Sequence, residues 1–181
     1  PGSDGGIRVG VVIVSTSCAD GLNPDKSGPQ IEDILDSYNA QAAAKATSSK
    51  RPPRFDWART VVVRDDKGDI SSILEEMSGK SSGSNDEMDV VLTSGGTGFA
   101  PSDITPECTR QVIDKEAPGI SQFLMQTSLS CTPMGALSRG VAGIARRTLL
   151  ITLPGSPKAI VEVLPSLLPI LPHAVRLLKG A

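Results

Sequence analysis

Four short aliphatic runs constrain the fold of this chain most strongly. They cover residues 7–15, 59–63, 89–93 and 148–153, and they are rich in Val, Ile and Leu. Runs of this length are typical of strands that are buried on both faces of a parallel sheet. Because helical patterns separate the runs, the chain is predicted to be an α/β protein with a mostly parallel sheet and helices on both faces.

The first two helices are indicated by apolar residues at helical spacing. One helix is expected around residues 31–35, and the Ala-, Ser- and Lys-rich residues 40–54 are expected to be its end and an exposed loop. A second helix is expected over 69–77 with Asp69 as its N-cap. Residues 78–87 have low complexity and indicate a surface loop.

Prolines punctuate the helices predicted in the second half of the chain. Thr105 is a candidate N-cap for a helix that ends near Pro118, and a further helix is expected over 120–129. Prolines interrupt the final apolar segment, 159–178, which therefore predicts two helices with a break between them.

The composition excludes several function classes. The formal net charge of −2 is too small to indicate a nucleic-acid or acidic-membrane partner, and no apolar run is long enough to predict a transmembrane helix. Cys18, Cys108 and Cys131 are widely spaced, which fits neither a zinc site nor a disulfide framework and favours a reducing cytoplasm. Residues 1–6 are interpreted as an added remnant or a flexible N-terminus, and residues 7–181 as one domain.

Polar clusters follow three of the predicted strands. They are residues 64–66, 94–103 and 154–158. The carboxyl ends of parallel strands share one edge of the sheet, and ligands bind beyond that edge in such folds. We therefore expect the three clusters to meet there.

The central cluster contains a glycine-rich loop over residues 94–98. Its glycines allow positive φ and close approach, so several backbone N–H groups can point at one anion. The loop matches neither a Walker A motif nor a dinucleotide fingerprint. Since glycines after a strand also serve turn geometry alone, these residues leave both interpretations open.

Carboxylates in two clusters are candidates for metal binding. Asp103 either closes a turn or holds Mg²⁺ against phosphate oxygens. Asp65 and Asp66 are either a solvated charge pair or a carboxylate site at a strand end. Elsewhere, Ser138 and Arg139 can solvate the surface or grip phosphate, since arginine presents a planar fork of donors.

Seven segments together resemble the molybdopterin adenylyltransferase family, which includes bacterial MogA and MoaB and the gephyrin G domain. The longest is SGGTGFAPSDITPE, residues 94–107. The others cover residues 23–29, 116–119, 137–139, 143–144, 153–158 and 168–174.

The resemblance implies a three-layer αβα sandwich that assembles as a homotrimer. It implies transfer of AMP from Mg-ATP to the terminal phosphate of molybdopterin, with release of pyrophosphate. It also implies a cytoplasmic protein without nucleic-acid or membrane partners, cut from a larger two-domain protein. A molybdenum-insertion domain or protein would receive the product.

The resemblance also assigns site residues by position. Asp65 and Asp103 are expected to be catalytic and to hold Mg²⁺. The residues expected to bind nucleotide phosphate are Ser94, Gly95, Gly96, Thr97, Gly98, Ser138 and Arg139. Those expected at the substrate pocket are Pro154, Gly155, Ser156 and Lys158.

Three positions depart from the family pattern. Thr16 stands where many relatives have aspartate, Arg64 where the family usually has proline, and Ser102 where arginine is frequent. Three other functions remain open: a molybdopterin-binding module without adenylyl transfer, an interaction or scaffolding protein, and a generic nucleotide-binding protein such as a phosphotransferase.

Overall fold

A six-stranded sheet organises residues 6–46, 53–81 and 87–180, which are the residues that the computed structural model describes. The strands are β1 (Ile7–Val14), β2 (Phe55–Val63), β3 (Val90–Ser94), β4 (Lys115–Glu116), β5 (Ala142–Ala145) and β6 (Thr148–Leu153). Their spatial order is β2-β1-β3-β6-β5-β4. β2, β1, β3 and β6 are parallel, whereas β5 is antiparallel to β6 and β4 is antiparallel to β5.

Helices cover both faces of this sheet, which confirms the predicted sandwich. They are α1 (Thr16–Ala19), α2 (Ser27–Ala44), α3 (Lys67–Met77), α4 (Thr105–Val112), α5 (Pro118–Cys131), α6 (Pro157–Leu167) and α7 (Leu171–Leu178), with a 3₁₀ turn at Pro133–Leu137. One core lies between the sheet and α2, α6 and α7, and the other lies under α3 and α4.

β1 shows why its sequence is an unbroken aliphatic run. Val9, Val11 and Ile13 face the first core, while Val12 and Val14 face the second. All five side chains are almost completely buried. Because consecutive strand residues point to opposite faces, a strand between two helix layers needs apolar residues at every position.

Both predicted N-caps are wrong. Asp66 rather than Asp69 caps α3, and its Oδ1 accepts from the N–H groups of Gly68 and Asp69 at 2.8 and 3.1 Å. Asp69 lies inside the first turn of that helix. Thr105 is the first residue of α4 and is fully buried, and its hydroxyl donates to a loop carbonyl instead of capping the helix.

The predicted helix from Thr105 towards Pro118 is also too long, because α4 ends at Val112 and β4 follows. The backbone of Asp114 donates to Ile144 at 2.7 Å and that of Ala117 donates to Ala142 at 2.8 Å. β4 and β5 were not predicted. β4 has only two residues, and β5 is the sequence AGIA with a single β-branched residue, so neither carries the pattern of a strand.

The predicted loops fall partly outside the described residues. α2 ends at Ala44, and the loop predicted after it includes residues 47–52, which are not described. The same holds for 82–86 in the second predicted loop. In the part of the chain that is described, no single helix is both long and apolar enough to cross a membrane; α6 and α7 reach that composition only jointly, across a 65° bend.

Candidate functional site

The carboxyl edge of the sheet gathers the predicted clusters. β1, β2, β3 and β6 run parallel, so residues 64–66, 94–103 and 154–158 all leave the sheet at this edge. β5 runs antiparallel to β6 and starts at the same edge, which brings in residues 138–141. The predicted convergence is therefore present, and Leu137–Arg139 joins it through a strand that the sequence did not indicate.

The glycine-rich loop, residues 94–98, turns its backbone carbonyls towards the protein. The hydroxyl of Thr105 donates to the carbonyl of Gly95 at 2.9 Å, and the Thr105 N–H donates to that of Gly96 at 3.1 Å. Arg139 binds the next two carbonyls, through its backbone N–H at 2.9 Å and its Nε at 2.7 Å. Four consecutive carbonyls are thus satisfied from within the fold.

The amides of the same loop differ from its carbonyls. Within the described ranges, the N–H groups of Gly96, Thr97 and Gly98 have no hydrogen bond to a protein acceptor, whereas Gly95 N–H lies at the end of the β3–β6 ladder. Backbone N–H groups require an acceptor when they leave water. Consecutive amides arranged in this way form a concavity for an anion such as phosphate.

Two of the loop glycines are required by the backbone itself. Gly95 has a φ of 105°, and a Cβ there would overlap the carbonyl oxygen of Val14. Gly96 has a φ of 61°, and a Cβ there would overlap the Thr105 hydroxyl. The turn that exposes the amides is therefore available only to glycine at both positions.

A cavity of about 340 Å³ adjoins this loop. Ser94, Gly95 and Gly155, all predicted site residues, contribute to its wall. The loops after β3 and β6 contact each other here: Ser94 Oγ donates to the carbonyl of Pro154 at 3.1 Å, and Gly155 is so close to Gly95 that a Cβ would lie 3.0 Å from its Cα.

The other wall of the cavity was not predicted as part of the site. It consists of Ser15, Cys18 and residues 23–27. Asp25 holds the start of α2 by accepting from Ser27 and Gly28, and the Ser27 hydroxyl donates to the carbonyl of Gly155 at 3.2 Å. Residues 23–29 follow β1 and α1, and their position after the first aliphatic run is the sequence signal for this sheet edge.

Asp65 and Asp103 stand on either side of the glycine-rich loop. Asp65 follows β2, which is separated from β3 by β1 alone, so these strand ends lie roughly 10 Å apart. Asp103 Oδ2 accepts from the N–H of Ala100 at 2.9 Å, and a Cβ on Gly98 would lie 2.8 Å from that oxygen. Asp103 therefore lies against the end of the loop.

Asp65 and Asp103 provide too few protein ligands for a complete metal cage. Across residues 6–46, 53–81 and 87–180, no three His, Cys, Asp or Glu side chains cluster in a way that could hold a metal ion. Mg²⁺ is usually bound by one or two carboxylates together with substrate phosphates and water, rather than by a full protein cage. Asp65 and Asp103 fit that pattern.

Arg139 braces the loop. Besides its bond to Gly98, its guanidinium donates to the carbonyl of Asp103 and to the carboxylate of Glu107. Burial tends to raise the pKa of Glu107, but hydrogen bonding and charge from Arg139 outweigh that effect and hold the pKa below its usual value. The sequence indicated phosphate binding by Arg139, and that role stays a prediction.

The lowered pKa of Glu107 makes the Arg139–Glu107 ion pair sensitive to acid. A carboxyl whose folded-state pKa is depressed stabilises the fold above its unfolded pKa, and this contribution is lost as pH falls through the folded pKa. We expect wild type to have a higher urea midpoint than Glu107→Gln at pH 7, and the two midpoints to converge below about pH 4. Urea titrations between pH 3 and 7 measure this, and a difference that is independent of pH would contradict it.

The remaining predicted residues lie further along the same edge. Ser138 and Pro154 line a second, smaller cavity of about 40 Å³ between α5, β6 and α6. Ser156 precedes α6 and is exposed. Lys158 is 87% exposed and makes a long 4.0 Å contact with Glu162, so its ammonium group can reach a ligand above the sheet edge.

Comparisons with known proteins agree with this architecture. Residues 10–173 match the family described as probable molybdopterin binding domain. The chain is 35% identical over 174 residues to molybdopterin adenylyltransferase of Helicobacter pylori J99, covering 96% of this chain and 89% of that protein. It is 36% identical over 172 residues to the molybdenum cofactor synthesis protein cinnamon of Drosophila melanogaster, covering 95% of this chain but only 26% of that longer protein.

Solved structures show the same fold. The molybdopterin biosynthesis enzyme MoaB of Thermus thermophilus superposes with a TM-score of 0.80 at 38% identity, covering 97% of this chain and 98% of MoaB. A MogA structure gives 0.77 at 33% identity, with 94% and 99% covered. The family expected from the sequence is confirmed, and the chain belongs to the molybdopterin-binding domain family of MogA and MoaB.

Proposed function

We propose that this domain transfers the adenylyl group of Mg-ATP to the terminal phosphate of molybdopterin and releases pyrophosphate. The observation that carries the proposal is the glycine-rich loop, whose four carbonyls are bound within the fold and whose amides at residues 96–98 donate to no protein acceptor among the described residues. Relatives named molybdopterin adenylyltransferase support the choice of substrates.

Adenylyl transfer requires mainly that the protein positions the substrates and stabilises their charge. The reaction joins two polyanions, so like-charge repulsion must be offset at the point where the phosphates meet. The amides of residues 96–98 bind and orient phosphate oxygens. Ser138 adds a hydroxyl donor, and Lys158 adds a mobile positive charge at the rim. The attacking group is a phosphate oxygen of the substrate, so no serine or cysteine nucleophile is required.

Asp65 and Asp103 are the residues proposed to hold magnesium. Bound Mg²⁺ would neutralise phosphate charge and polarise the phosphorus under attack. Each carboxylate uses Oδ2 for hydrogen bonds to the protein, and within the described ranges Oδ1 of each has no hydrogen-bond donor. The protein thus fixes one oxygen of each acid and leaves the other for the ligand.

We propose neighbouring positions for the two substrates at this sheet edge. The ATP phosphates are placed on the amides of residues 96–98, and the pterin substrate is placed towards Pro154, Gly155, Ser156 and Lys158. The contacts of Ser94 with Pro154 and of Ser27 with Gly155 hold these two parts together. A cytoplasmic location and a molybdenum-insertion domain or protein that receives the product belong to the same proposal.

Pyrophosphate release tests the reaction. Purified protein is incubated with Mg-ATP, with molybdopterin, and with both, and pyrophosphate is measured. We expect release only with both substrates. Tight molybdopterin binding without release would instead indicate the binding or scaffolding module, and release of inorganic phosphate in place of pyrophosphate would indicate a phosphotransferase.

We also propose that the domain forms a homotrimer through α5 and the 3₁₀ turn that follows it. None of the 14 residues of α5 is buried, although six of them are hydrophobic. The exposed apolar side chains of this surface are Phe123, Leu129, Met134 and Leu137. An exposed apolar patch of this kind is typical of a protein–protein interface.

Substitution within this surface tests the assembly. Leu129→Glu is expected to shift the protein from trimer to monomer in light scattering coupled to size-exclusion chromatography, because it places a charge in an apolar interface. Leu177→Glu is the matched control, since Leu177 is 61% exposed and lies on α7, which is not part of the proposed interface. A Leu129→Glu protein that stays trimeric would contradict the proposed interface.

A further inference from the structure

The one-turn helix α1 bridges the cavity and the strand end that carries Asp65. Ser15 caps the helix, accepting from the Cys18 N–H at 3.3 Å, and both residues line the cavity. Thr16 and Asp20 make their contacts on the other side, with the end of β2. One turn of helix therefore connects the two parts of the site.

Thr16 holds the carboxylate of Asp65 through reciprocal hydrogen bonds. Its backbone N–H and its hydroxyl both donate to Asp65 Oδ2, each at 2.8 Å. The Thr16 hydroxyl also accepts from the Asp65 backbone N–H at 3.1 Å. Both the carboxylate and the backbone of Asp65 are thus tied to one hydroxyl.

Two further contacts secure the same junction. The N–H of Ser15 donates to the carbonyl of Val63 at 2.9 Å. Arg64 donates to Asp20 through Nε at 2.8 Å and also through Nη2, and this hydrogen bond raises the pKa of the arginine. Because these ties flank the Thr16 contact, the α1 turn cannot move away from the end of β2 without breaking all of them.

We propose that Thr16 is a positioning residue that fixes the orientation of Asp65 for adenylyl transfer, an inference that rests on the proposed function. A side chain that donates to a carboxylate and accepts from a backbone N–H at the same atom must carry a hydroxyl. Serine can replace it, whereas valine has the same shape but can do neither. The hydroxyl directs Oδ2 into the protein and leaves Oδ1 facing the ligand.

Thr16→Val and Thr16→Ser test this role. Thr16→Val is expected to lower kcat roughly 10- to 100-fold, because small displacements of a catalytic group have large effects on rate. KM for ATP and for molybdopterin should change less than about twofold, since Thr16 lines neither the cavity nor the glycine-rich loop. Thr16→Ser should restore kcat to within about threefold of wild type. Thr60→Val is the matched control, because Thr60 lies on β2, the strand that leads to Asp65, and its hydroxyl accepts from Trp57 Nε1 at 2.8 Å.

Crystal structures of ligand-free wild type and Thr16→Val supply a readout that is independent of turnover. We expect the Asp65 carboxylate to occupy a different rotamer in the valine variant and an unchanged one in Thr16→Ser. A Thr16→Val protein with wild-type kcat and an unmoved carboxylate would overturn the inference, as would equal loss in both variants. If wild type itself forms no product, the proposed function fails, and the rotamer of Asp65 still decides whether Thr16 positions it.

Discussion

Asp65→Asn is expected to lower turnover at least about 10³-fold, whereas Asp66→Asn should leave it within about threefold. The two substitutions remove the same charge from adjacent positions. Asp65 presents a carboxylate oxygen without a protein partner among the described residues, and loss of a charge that stabilises the transition state has effects of this size. Asp66 uses its carboxylate to cap α3, and asparagine caps a helix about equally well.

Steady-state pyrophosphate release measures both variants, with molybdopterin binding measured alongside. Asp65→Asn should bind molybdopterin with an affinity within about threefold of wild type. The reason is that the pterin is placed on the side of the glycine-rich loop opposite Asp65. Equal loss of turnover in the two variants would mean that the general charge of this strand end matters, and Asp65 would have no special role.

The second large effect is on stability. Gly95→Ala is expected to lower the free energy of unfolding by about 2–4 kcal/mol, because an L-residue is strained at this φ and the new methyl group overlaps the carbonyl of Val14. Relief requires the end of β1 to move away from the loop, and the amides of residues 96–98 would lose their arrangement. Anion binding should weaken together with stability.

Gly119→Ala is the matched control. A Cβ at Gly119 meets no atom within 4 Å, and this glycine lies in the first turn of α5. There the change should be neutral or stabilise the protein by up to about 1 kcal/mol. Urea unfolding of both variants measures the difference. A Gly95→Ala protein as stable as wild type would show that the loop does not need the backbone conformation described above.

The edge of the sheet at which the site lies could be predicted from the sequence because it depends on simple patterns. Aliphatic runs fixed the positions of the four parallel strands, and polar residues marked their ends. β5 could not be predicted, because its stability comes from pairing with β6 and not from its own residues. The sequence therefore could not show that Ser138 and Arg139 lie at the site, because β5 is the strand that brings them there.

The glycine-rich loop illustrates a different limit. Glycines alone could not distinguish an anion site from a tight turn. That distinction depends on where the carbonyls find donors, and those donors, Thr105 and Arg139, lie 7 and 41 residues beyond Gly98 in the chain. Thr16 and Arg64 stood out in the sequence only as departures from the family pattern. Their contacts with Asp65 and Asp20 give both residues a physical role at the same junction.

The fate of labelled ATP phosphates tests the central claim most directly. Wild type is incubated with Mg²⁺, molybdopterin and ATP that is labelled either in the α-phosphate or in the γ-phosphate, and the pterin product is isolated. Adenylyl transfer predicts that the α label moves to the pterin and that the γ label leaves entirely in pyrophosphate. A γ label on the pterin would mean phosphoryl transfer, and no label on a tightly bound pterin would mean a binding module; either result would contradict the proposed reaction.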